Sequence, residues 1–242
     1  NAAGRVGVPN VDWCEDHPWI TWRDNVIGPA ILAEACVRRD VHLTHLGSGC
    51  VFVGGSPHTD AKWREGYSPN ATSLYGRSKA AADLLLGRMD GCCVVRLRMP
   101  IADAPHPRSL PEKLASYPMV CDATNSVTIV RDLPDVVRRI SEAQARGISI
   151  IYQEFNLVLT HRAVIAAGRR IVDPGLGEPE WTDEGGLGLS GLTRAKRSHV
   201  VLADTRLAEV GAKMRMAFLA LEEDLAVVAE LRLRANTLGA MA

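Results

Sequence analysis

Three residues could together reduce a carbonyl group: Ser48, Tyr75 and Lys79. Tyr75 and Lys79 are four residues apart, so on a helix their side chains lie on one face. A phenol with a pKa of ~10 is a poor acid or base at neutral pH, and an adjacent ammonium is expected to lower that value. Tyr75 could then give a proton to a carbonyl oxygen as hydride arrives at carbon, with Ser48 hydrogen-bonded to the same oxygen.

The Tyr-x-x-x-Lys spacing is weak evidence when it stands alone. The chain has four tyrosines and five lysines, so a chance match is expected about one time in ten. The alternative interpretation is a surface helix that carries an ordinary tyrosine and an ordinary lysine. The surrounding sequence therefore has to decide between the two.

The composition is that of a globular protein with one sizeable core, or with one core and a small lobe. The 242 residues are 47% hydrophobic and 23% charged, and 28 basic residues balance 28 acidic ones. This balance gives no argument for a nucleic acid or an anionic membrane as partner, although a few arginines could hold a small anionic ligand. The apolar runs are too short to span a bilayer and no secretory signal is visible, so we expect a cytoplasmic enzyme.

Six cysteines, at positions 14, 36, 50, 92, 93 and 121, show no C-x-x-C spacing. The sequence therefore predicts neither a zinc site nor a disulfide framework. We expect most of these residues to be buried thiols, and Cys50 to be the exception.

Strand and helix patterns alternate along the chain. Apolar residues at helical spacing predict helices over residues 11–39, with a kink at Gly28-Pro29, and over 78–88, 133–145, 163–171, 205–216 and 217–233. Buried strands are predicted over residues 42–52, 92–99 and 148–159. A short helix is expected at 110–116, a glycine-rich loop at 175–191 and a frayed tail from Ala235. This alternation predicts an α/β fold with a parallel sheet and helices on its faces.

Several motifs taken together resemble the extended short-chain dehydrogenase/reductase superfamily. They are Asn1-Ala-Ala-Gly4, Pro9-Asn-Val-Asp-Trp-Cys-Glu15, Asn25-Val-Ile-Gly28, Ser48-Gly-Cys-Val-Phe52, Tyr75-x-x-x-Lys79, Arg96-Leu-Arg-Met-Pro100 and Pro107-Arg108. Within the superfamily they look like the nucleotide-rhamnose synthases, bifunctional 3,5-epimerase/4-reductases related to dTDP-4-dehydrorhamnose reductase. The resemblance is specific from residue 1 to about residue 140 and weaker to about residue 210.

The resemblance implies a fold, a cofactor and a substrate. Residues 1–150 would form part of a Rossmann-like, NAD(P)-binding domain that carries the catalytic residues, and residues 151–242 a small C-terminal substrate lobe with a helical tail. The cofactor would be NADPH or NADH. The substrate would be UDP- or dTDP-4-keto-6-deoxyglucose, and the protein could be a homodimer or be fused to a 4,6-dehydratase domain.

The resemblance also assigns residues to the reductase site. Ser48 takes the place of a family threonine and keeps its hydroxyl, while Tyr75 and Lys79 match directly, with Lys79 also holding the nicotinamide ribose. Residues that match the turn over the cofactor and the segment beside the nicotinamide are Ala2, Ala3, Gly4, Pro100 and Ile101.

Cys50 falls on the family's epimerisation cysteine, and Lys113 falls on its partner lysine. Inverting a carbon next to a ketone needs one group to remove the α-proton and another to deliver a proton to the opposite face. A thiolate beside a lysine ammonium fits that role. The alternative interpretations are a small buried hydrophobic residue for Cys50 and an exposed loop lysine for Lys113.

The substrate side of the resemblance is less complete. Arg108 and Arg197 could clamp a diphosphate, because a guanidinium fork matches phosphate oxygens, and Asn125 matches a segment near the sugar. Asn25 matches a position that supports the active-site geometry. Three departures from the family pattern put parts of the site in doubt, namely Pro29 in place of a threonine, His199 in place of an asparagine and the segment 152–159.

No glycine-rich turn between a strand and a helix follows the opening residues. In a Rossmann domain that turn holds the cofactor pyrophosphate on backbone amides. We therefore expect Asn1-Ala2-Ala3-Gly4 to be the end of a strand and its turn, within the later part of a longer enzyme. On its own, the 242-residue chain is expected not to bind NADPH measurably.

Two other functions stay open. One is a non-catalytic regulatory subunit of the same fold, resembling the beta subunit of methionine adenosyltransferase. The other is a simple sugar-nucleotide 4-ketoreductase in which Cys50 has no catalytic role. The presence of both an epimerase pair and a reductase triad favours the bifunctional enzyme, since a binding module needs neither.

Overall fold

The structure, a computed structural model, describes residues 1–57, 60–151 and 159–239. Its strands are β1 (Leu43–Ser48), β2 (Cys92–Leu97), β3 (Pro100–Ile101), β4 (Met119–Cys121), β5 (Thr128–Ile129), β6 (Gly147–Ile151) and β7 (Glu180–Thr182). Its α-helices are α1 (Asp12–Asp16), α2 (Pro18–Trp22), α3 (Gly28–Val37), α4 (Leu74–Leu86), α5 (Leu110–Ala115), α6 (Leu133–Glu142), α7 (His161–Ile171), α8 (Glu184–Leu189) and α9 (Ala217–Gly239).

The main sheet is parallel and has the strand order β1-β2-β6. The central strand β2 is an almost uninterrupted buried run, as expected for a parallel strand that is covered on both faces. Alternate residues of β2 enter different cores: Cys92 and Val94 pack with α3 and α4, while Cys93 and Val95 pack with α6. The α/β class with a parallel sheet is therefore confirmed.

Asn1 hydrogen-bonds to the edge of β1 that faces away from β2, as a neighbouring strand would. Its terminal nitrogen donates to the Thr44 carbonyl oxygen at 2.7 Å, and the Leu46 amide donates to the Asn1 carbonyl oxygen at 2.9 Å. Backbone groups on both sides of β1 are thus satisfied over this stretch. The next three residues, Ala2, Ala3 and Gly4, lead away from the sheet and are exposed.

The helical region predicted at residues 11–39 is divided into three helices and a π-helical turn. The turn, Arg23–Ile27, lies immediately before α3, whose second residue is Pro29. A proline cannot donate a backbone hydrogen bond, and a wider turn is one way to absorb that loss without ending the helix. The turn carries the buried Asn25, whose amide bonds to both backbone groups of Arg5 and to the Ser78 hydroxyl. Despite Pro29, Asn25 therefore still links the opening segment to α4.

The second half of the chain has its own hydrophobic core, built mainly from α5, α7 and α9. Two short parallel pairs, β3-β5 and β4-β7, flank it. The predicted strand over 148–159 is found as β6, and residues 152–158 lie outside the described residues.

Three predictions for this half were wrong. The segment 175–191 is not simply a loop, because β7 pairs with β4 and Asp183 caps the start of α8 by accepting from the Gly186 amide. The helix predicted over 205–216 is only a 3-10 turn, Leu207–Val210, which ends at Gly211 with φ of 65°. The tail from Ala235 continues α9 as far as Gly239.

Among the described helices, none is long and apolar enough to cross a membrane. The described part of the chain also holds no group of three or more His, Cys, Asp or Glu side chains that could bind a metal ion. Its six cysteines are free thiols, of which Cys14, Cys92, Cys93 and Cys121 are buried.

Candidate active site

The carboxyl end of β1 and the start of α4 bring the predicted reductase residues together. Ser48 ends β1, and its hydroxyl accepts a hydrogen bond from the Cys50 amide at 3.1 Å, which turns the chain into the 3-10 segment Gly49–Val51. Ser73 caps α4 by accepting from the Gly76 amide at 3.1 Å. Residues 48, 50 and 75 are therefore positioned by two short, locally capped turns.

Gly76 allows these two turns to touch. A β-carbon at this position would lie 2.5 Å from the Cys50 carbonyl oxygen and 2.7 Å from the Ala71 β-carbon. Both distances are too short for any side chain. The glycine in Tyr75-Gly-Arg-Ser-Lys79 therefore sets the distance between Tyr75 and Cys50.

The Tyr75 phenol lies near the Ser48 hydroxyl and within electrostatic reach of Cys50 and Arg98. The prediction that Lys79 lowers the pKa of Tyr75 is not met. Burial raises this pKa above its ordinary value, Cys50 raises it further, and the Ser48 hydroxyl and the charge of Arg98 only partly oppose this. At neutral pH Tyr75 is consequently a protonated donor.

Lys79 lies one helical turn after Tyr75 and is 5% exposed. Its ammonium donates to the Leu46 carbonyl oxygen at 3.2 Å. Burial lowers the Lys79 pKa, while Asp83 and Cys50 act in the opposite direction. A β-carbon on Gly4 would lie 3.3 Å from this ammonium, so the opening residues pass directly beside Lys79.

Cys50 and Lys113, far apart in sequence, interact in the folded chain. Lys113 lies on α5, and both residues are partly exposed. Burial lowers the Lys113 pKa, and the arginines at positions 197, 108 and 98 lower it as well. Cys50 acts against them by raising it, because an anionic sulfur would favour the ammonium. Lys113 and Cys50 therefore lie within electrostatic reach of each other.

Arg98 is a site residue to which the sequence patterns assigned no role. It follows β2, is 2% exposed, and its Nη1 donates to the Cys50 sulfur at 2.9 Å. Its Nη2 donates to the Asn125 side-chain oxygen at 2.5 Å and to the Ser198 carbonyl oxygen. The signal that could have revealed it was a second arginine directly after a buried strand that already contains Arg96.

Asn125, predicted to contact the sugar, is 1% exposed and bonded to protein groups. Its oxygen also accepts from the Val200 amide at 3.0 Å, and its nitrogen lies 3.2 Å from one ring nitrogen each of His161 and His199. The opposite ring nitrogen of His161 lies 2.7 Å from the Cys121 carbonyl oxygen, to which it can donate only if protonated. In the structure Asn125 therefore accepts a hydrogen bond from Arg98 and helps to hold its guanidinium in place.

The two predicted phosphate-binding arginines lie near Lys113. Arg197 pairs with Asp12, with a nitrogen to oxygen distance of 2.6 Å, and both side chains are less than one-fifth exposed. Arg108 is exposed at the start of the segment leading to α5. The Asp12 carboxylate also accepts from the Ala195 amide at 2.9 Å, which ties the segment around Arg197 to the amino-terminal part of the chain.

The residues present fit one end of a dinucleotide. Ala2, Ala3 and Gly4 offer nothing bulkier than a methyl group beside the Lys79 ammonium, so a ribose hydroxyl could approach it. Pro100 is exposed, while Ile101 is buried and pairs with Ile129 through β3 and β5. These residues could hold a nicotinamide ribose and flank its ring.

Comparison with known proteins gives the family. Residues 3–123 match the model of the NAD dependent epimerase/dehydratase family. A bifunctional dTDP-4-dehydrorhamnose 3,5-epimerase/dTDP-4-dehydrorhamnose reductase of Arabidopsis thaliana is 37% identical over 180 residues, which are 72% of this chain and 59% of that protein. The chain thus spans about three-fifths of the length of this relative.

Two solved structures are similar in fold. The crystal structure of a UDP-rhamnose synthase from Acanthamoeba polyphaga mimivirus matches with a TM-score of 0.83 and 26% identity, over 93% of this chain and 80% of that one. A dTDP-4-dehydrorhamnose reductase from Bacillus anthracis, solved in complex with NADP, matches with a TM-score of 0.72 and 16% identity, over 92% and 76% of the two chains. The chain belongs to the NAD dependent epimerase/dehydratase family.

Proposed function

We propose that the protein containing this chain is a nucleotide-4-keto-6-deoxyhexose 3,5-epimerase/4-reductase that makes UDP- or dTDP-L-rhamnose with NADPH or NADH. The observation that carries the proposal is the close approach of the turn that holds Cys50 to the start of α4, which carries Tyr75: a β-carbon on Gly76 would lie 2.5 Å from the Cys50 carbonyl oxygen. The electrostatic effect of Cys50 on both Lys113 and Tyr75 supports the same grouping. The names of the similar bifunctional enzyme and of the UDP-rhamnose synthase support the same activity.

The cofactor, when bound, supplies the hydride that reduces the sugar ketone. Lys79 would hold its ribose hydroxyls, and the small residues Ala2, Ala3 and Gly4 would leave room for it. Pro100 and Ile101 would flank the nicotinamide.

In the epimerisation, Cys50 and Lys113 would act on opposite faces of the sugar. The Cys50 thiolate takes the proton from the carbon next to the ketone and becomes a thiol, and the electron pair of that C–H bond moves to the ketone oxygen as an enolate. The enolate carbon then takes a proton from the Lys113 ammonium on its opposite face, which re-forms the ketone and leaves Lys113 as an amine. Burial lowers the pKa of the Lys113 ammonium and makes that proton easier to release. Exchange with water restores both groups before the next inversion.

In the reduction, Tyr75 would give its phenolic proton to the C4 oxygen as the carbon accepts hydride. The raised Tyr75 pKa keeps this proton in place at neutral pH. Ser48, which lies near the Tyr75 phenol, would orient the same oxygen. Arg108 and Arg197 would bind the substrate diphosphate, Arg197 by leaving its pair with Asp12, and Asn125 would support the sugar pocket through Arg98.

The test is a Cys50→Ala variant of the protein at its natural length, given the 4-keto-6-deoxyglucose nucleotide, NADPH and deuterated water. We expect the variant to lose both L-rhamnose formation and deuterium incorporation at C3 and C5. It should still oxidise NADPH by reducing the sugar without epimerisation. Cys36→Ala, which removes a partly exposed thiol on α3, serves as the control.

The other outcomes decide between the alternatives. L-Rhamnose formation that survives Cys50→Ala would identify a simple 4-ketoreductase in which Cys50 has no catalytic role. A wild-type protein that turns over neither the sugar nor NADPH would point to a non-catalytic subunit of the same fold.

A further inference from the structure

The register between β1 and β2 places Arg98 beside Cys50. Leu97, the last residue of β2, pairs with Ser48, the last residue of β1. The residue after Leu97 therefore lies beside the turn after Ser48, which contains Cys50. A β-carbon on Gly49 would lie 2.9 Å from Leu202 Cδ1 and 3.3 Å from Arg98 Cδ, so the glycine in Ser48-Gly-Cys lets both side chains pack against this turn.

The two oxygen atoms that accept hydrogen bonds from this guanidinium belong to neutral groups. Nη2 donates to an amide oxygen on Asn125 and to the Ser198 backbone carbonyl. Within residues 1–57, 60–151 and 159–239, no carboxylate forms an ion pair with Arg98. A buried guanidinium stays protonated and normally pairs with an anion. The partner in the described site that can become anionic is Cys50.

We propose that Arg98 is the positioning residue of the epimerisation, holding the Cys50 sulfur in place as the proton acceptor. The inference rests on the proposed function and deepens it. A guanidinium can only donate, so the sulfur is the acceptor at 2.9 Å, and this bond is strongest when the sulfur is a thiolate. When Cys50 takes the substrate proton, Arg98 keeps all of its own protons and the sulfur becomes neutral.

The support behind Arg98 fixes the direction in which it points. Asn125 accepts from Nη2 and is itself held by the Val200 amide and by two histidine rings. The Arg98 backbone amide donates to the Thr128 hydroxyl at 3.0 Å. Arg98 is thus held by hydrogen bonds at its backbone amide and at Nη2, and its Nη1 is directed at Cys50.

The test compares two reactions of an Arg98→Met variant of the protein at its natural length. One is deuterium incorporation at C3 and C5 of the 4-keto-6-deoxyglucose nucleotide, which needs Cys50. The other is reduction of the 4-keto-L-rhamnose nucleotide, which needs no epimerisation. Since a hydrogen bond to a charged group contributes ~1.5–3 kcal/mol, we expect incorporation to fall about 10- to 100-fold. Reduction should fall clearly less, because Arg98 acts on Tyr75 only through its charge.

Two further variants sharpen the result. Arg98→Lys, which keeps one donor and the charge, should recover part of the incorporation. Asn125→Asp keeps the shape of the side chain but offers Arg98 a carboxylate, and it should lower incorporation by drawing the charge away from the sulfur. Arg38→Met, which removes an exposed arginine directly after α3 that pairs with Glu34, is the control for loss of charge.

A readout without substrate separates this inference from the proposed function. The thiolate is the form that reacts with iodoacetamide, so Arg98→Met should slow the alkylation of Cys50 at a fixed pH, as measured by mass spectrometry. Unchanged alkylation and unchanged incorporation would overturn the role of Arg98. Equal losses of incorporation and reduction in a folded variant would overturn it too, because they would indicate a structural role. Slowed alkylation in a protein that never epimerises would leave the contact in place and overturn the proposed function.

Discussion

Tyr75 illustrates how burial sets acid strength at the scale of a single residue. Removal from water disfavours the phenolate, and the nearby Cys50 sulfur disfavours it further. The Lys79 ammonium is directed at the Leu46 carbonyl instead. The phenol therefore acts as a proton donor whose proton is retained until the ketone oxygen gains charge.

Tyr75→Phe should abolish reduction while sparing epimerisation. The substitution removes only the hydroxyl, so we expect NADPH oxidation to fall by about 100- to 10,000-fold, the usual contribution of a general acid. Deuterium incorporation at C3 and C5, measured by NMR, should stay within a few-fold of wild type. Loss of both reactions in a protein with an unchanged unfolding temperature would show that the two steps do not divide as proposed.

Spacing and pattern pointed to Ser48, Tyr75 and Lys79, and the family resemblance added Cys50 and Lys113, but neither signalled the long-range contacts of Arg98. Tyr75 and Lys79 share one helix and Ser48 lies at a strand end, so spacing and pattern predict them. Arg98 instead depends on partners that are 48, 27 and 100 residues away in sequence. No periodicity in the chain reports which of its buried arginines faces a cysteine.

At the scale of elements, the site depends on how closely α4 approaches the end of β1. Gly76→Ala should separate them, because its β-carbon would overlap the Cys50 carbonyl oxygen at 2.5 Å. Backbone must shift to relieve this contact, and such overpacking typically costs ~1–3 kcal/mol of unfolding free energy. Urea denaturation should show this loss, and both reactions should slow.

Gly188 provides the matched control on another helix. A β-carbon there meets nothing within 4 Å, and alanine is the better helix former by ~1 kcal/mol. Gly188→Ala should therefore leave stability unchanged or raise it. Equal behaviour of the two variants would contradict the close approach at Gly76.

A buried ion pair connects α4 to the middle of the sheet. Tyr75, Lys79 and Asp83 follow one another at four-residue intervals along α4, and the Asp83 carboxylate accepts from Arg96 of β2 at 2.7 Å. Both partners are 1% exposed, and the guanidinium also lies over the Phe52 ring. Arg96 therefore anchors the helix that carries Lys79.

Arg96→Met should destabilise the protein by ~3–5 kcal/mol, since it leaves the Asp83 carboxylate buried without its partner. Burial already raises the pKa of Asp83 in the folded state. A folded-state pKa above the unfolded one means that the native state binds the proton more tightly, so the penalty should shrink as pH falls. Urea unfolding at pH 7 and pH 5 measures this difference. A double variant, Asp83→Leu with Arg96→Met, should recover most of the stability, and failure to do so would assign the loss to packing.

Two segments were mispredicted for different physical reasons. Glycines at 175, 177, 185, 186 and 188 favour a loop, yet β7 forms because β4 offers it a parallel partner. Conversely, the apolar spacing over 205–216 favours a helix, but Gly211 adopts a left-handed conformation that ends the 3-10 turn. In the first segment the neighbouring strand outweighs local propensity, whereas in the second a single glycine ends the turn.

At the scale of the whole molecule, buried neutral histidines couple stability to pH. Burial lowers the pKa of His45 and of His199 from 6.5 to about 3. Nearby cations add to the effect, among them Lys79 for His45 and Arg98 for His199. Between about pH 3 and pH 6.5, both rings stay neutral in the folded protein, whereas the unfolded chain protonates them.

The free energy of unfolding should consequently fall as the solution is acidified. Because the unfolded state binds the extra protons, the stability contributed by each neutral ring is complete above pH ~6.5 and is lost progressively towards pH ~3. Each histidine contributes at most ~1.4 kcal/mol per pH unit to this slope. His199→Asn should remove the contribution of one histidine to the pH slope of the unfolding free energy, while leaving a polar group near the Asn125 amide.

Urea unfolding from pH 7 to pH 4 measures the slope, with His106→Asn as the exposed-histidine control. A His199→Asn variant whose slope equals that of wild type would mean that the folded protein protonates His199 freely. The Asn125 nitrogen beside that ring would then face a donor, and the orientation of Asn125 that supports Arg98 would be lost. The pH dependence of the whole fold thus reports on the same contacts that direct Arg98 at Cys50.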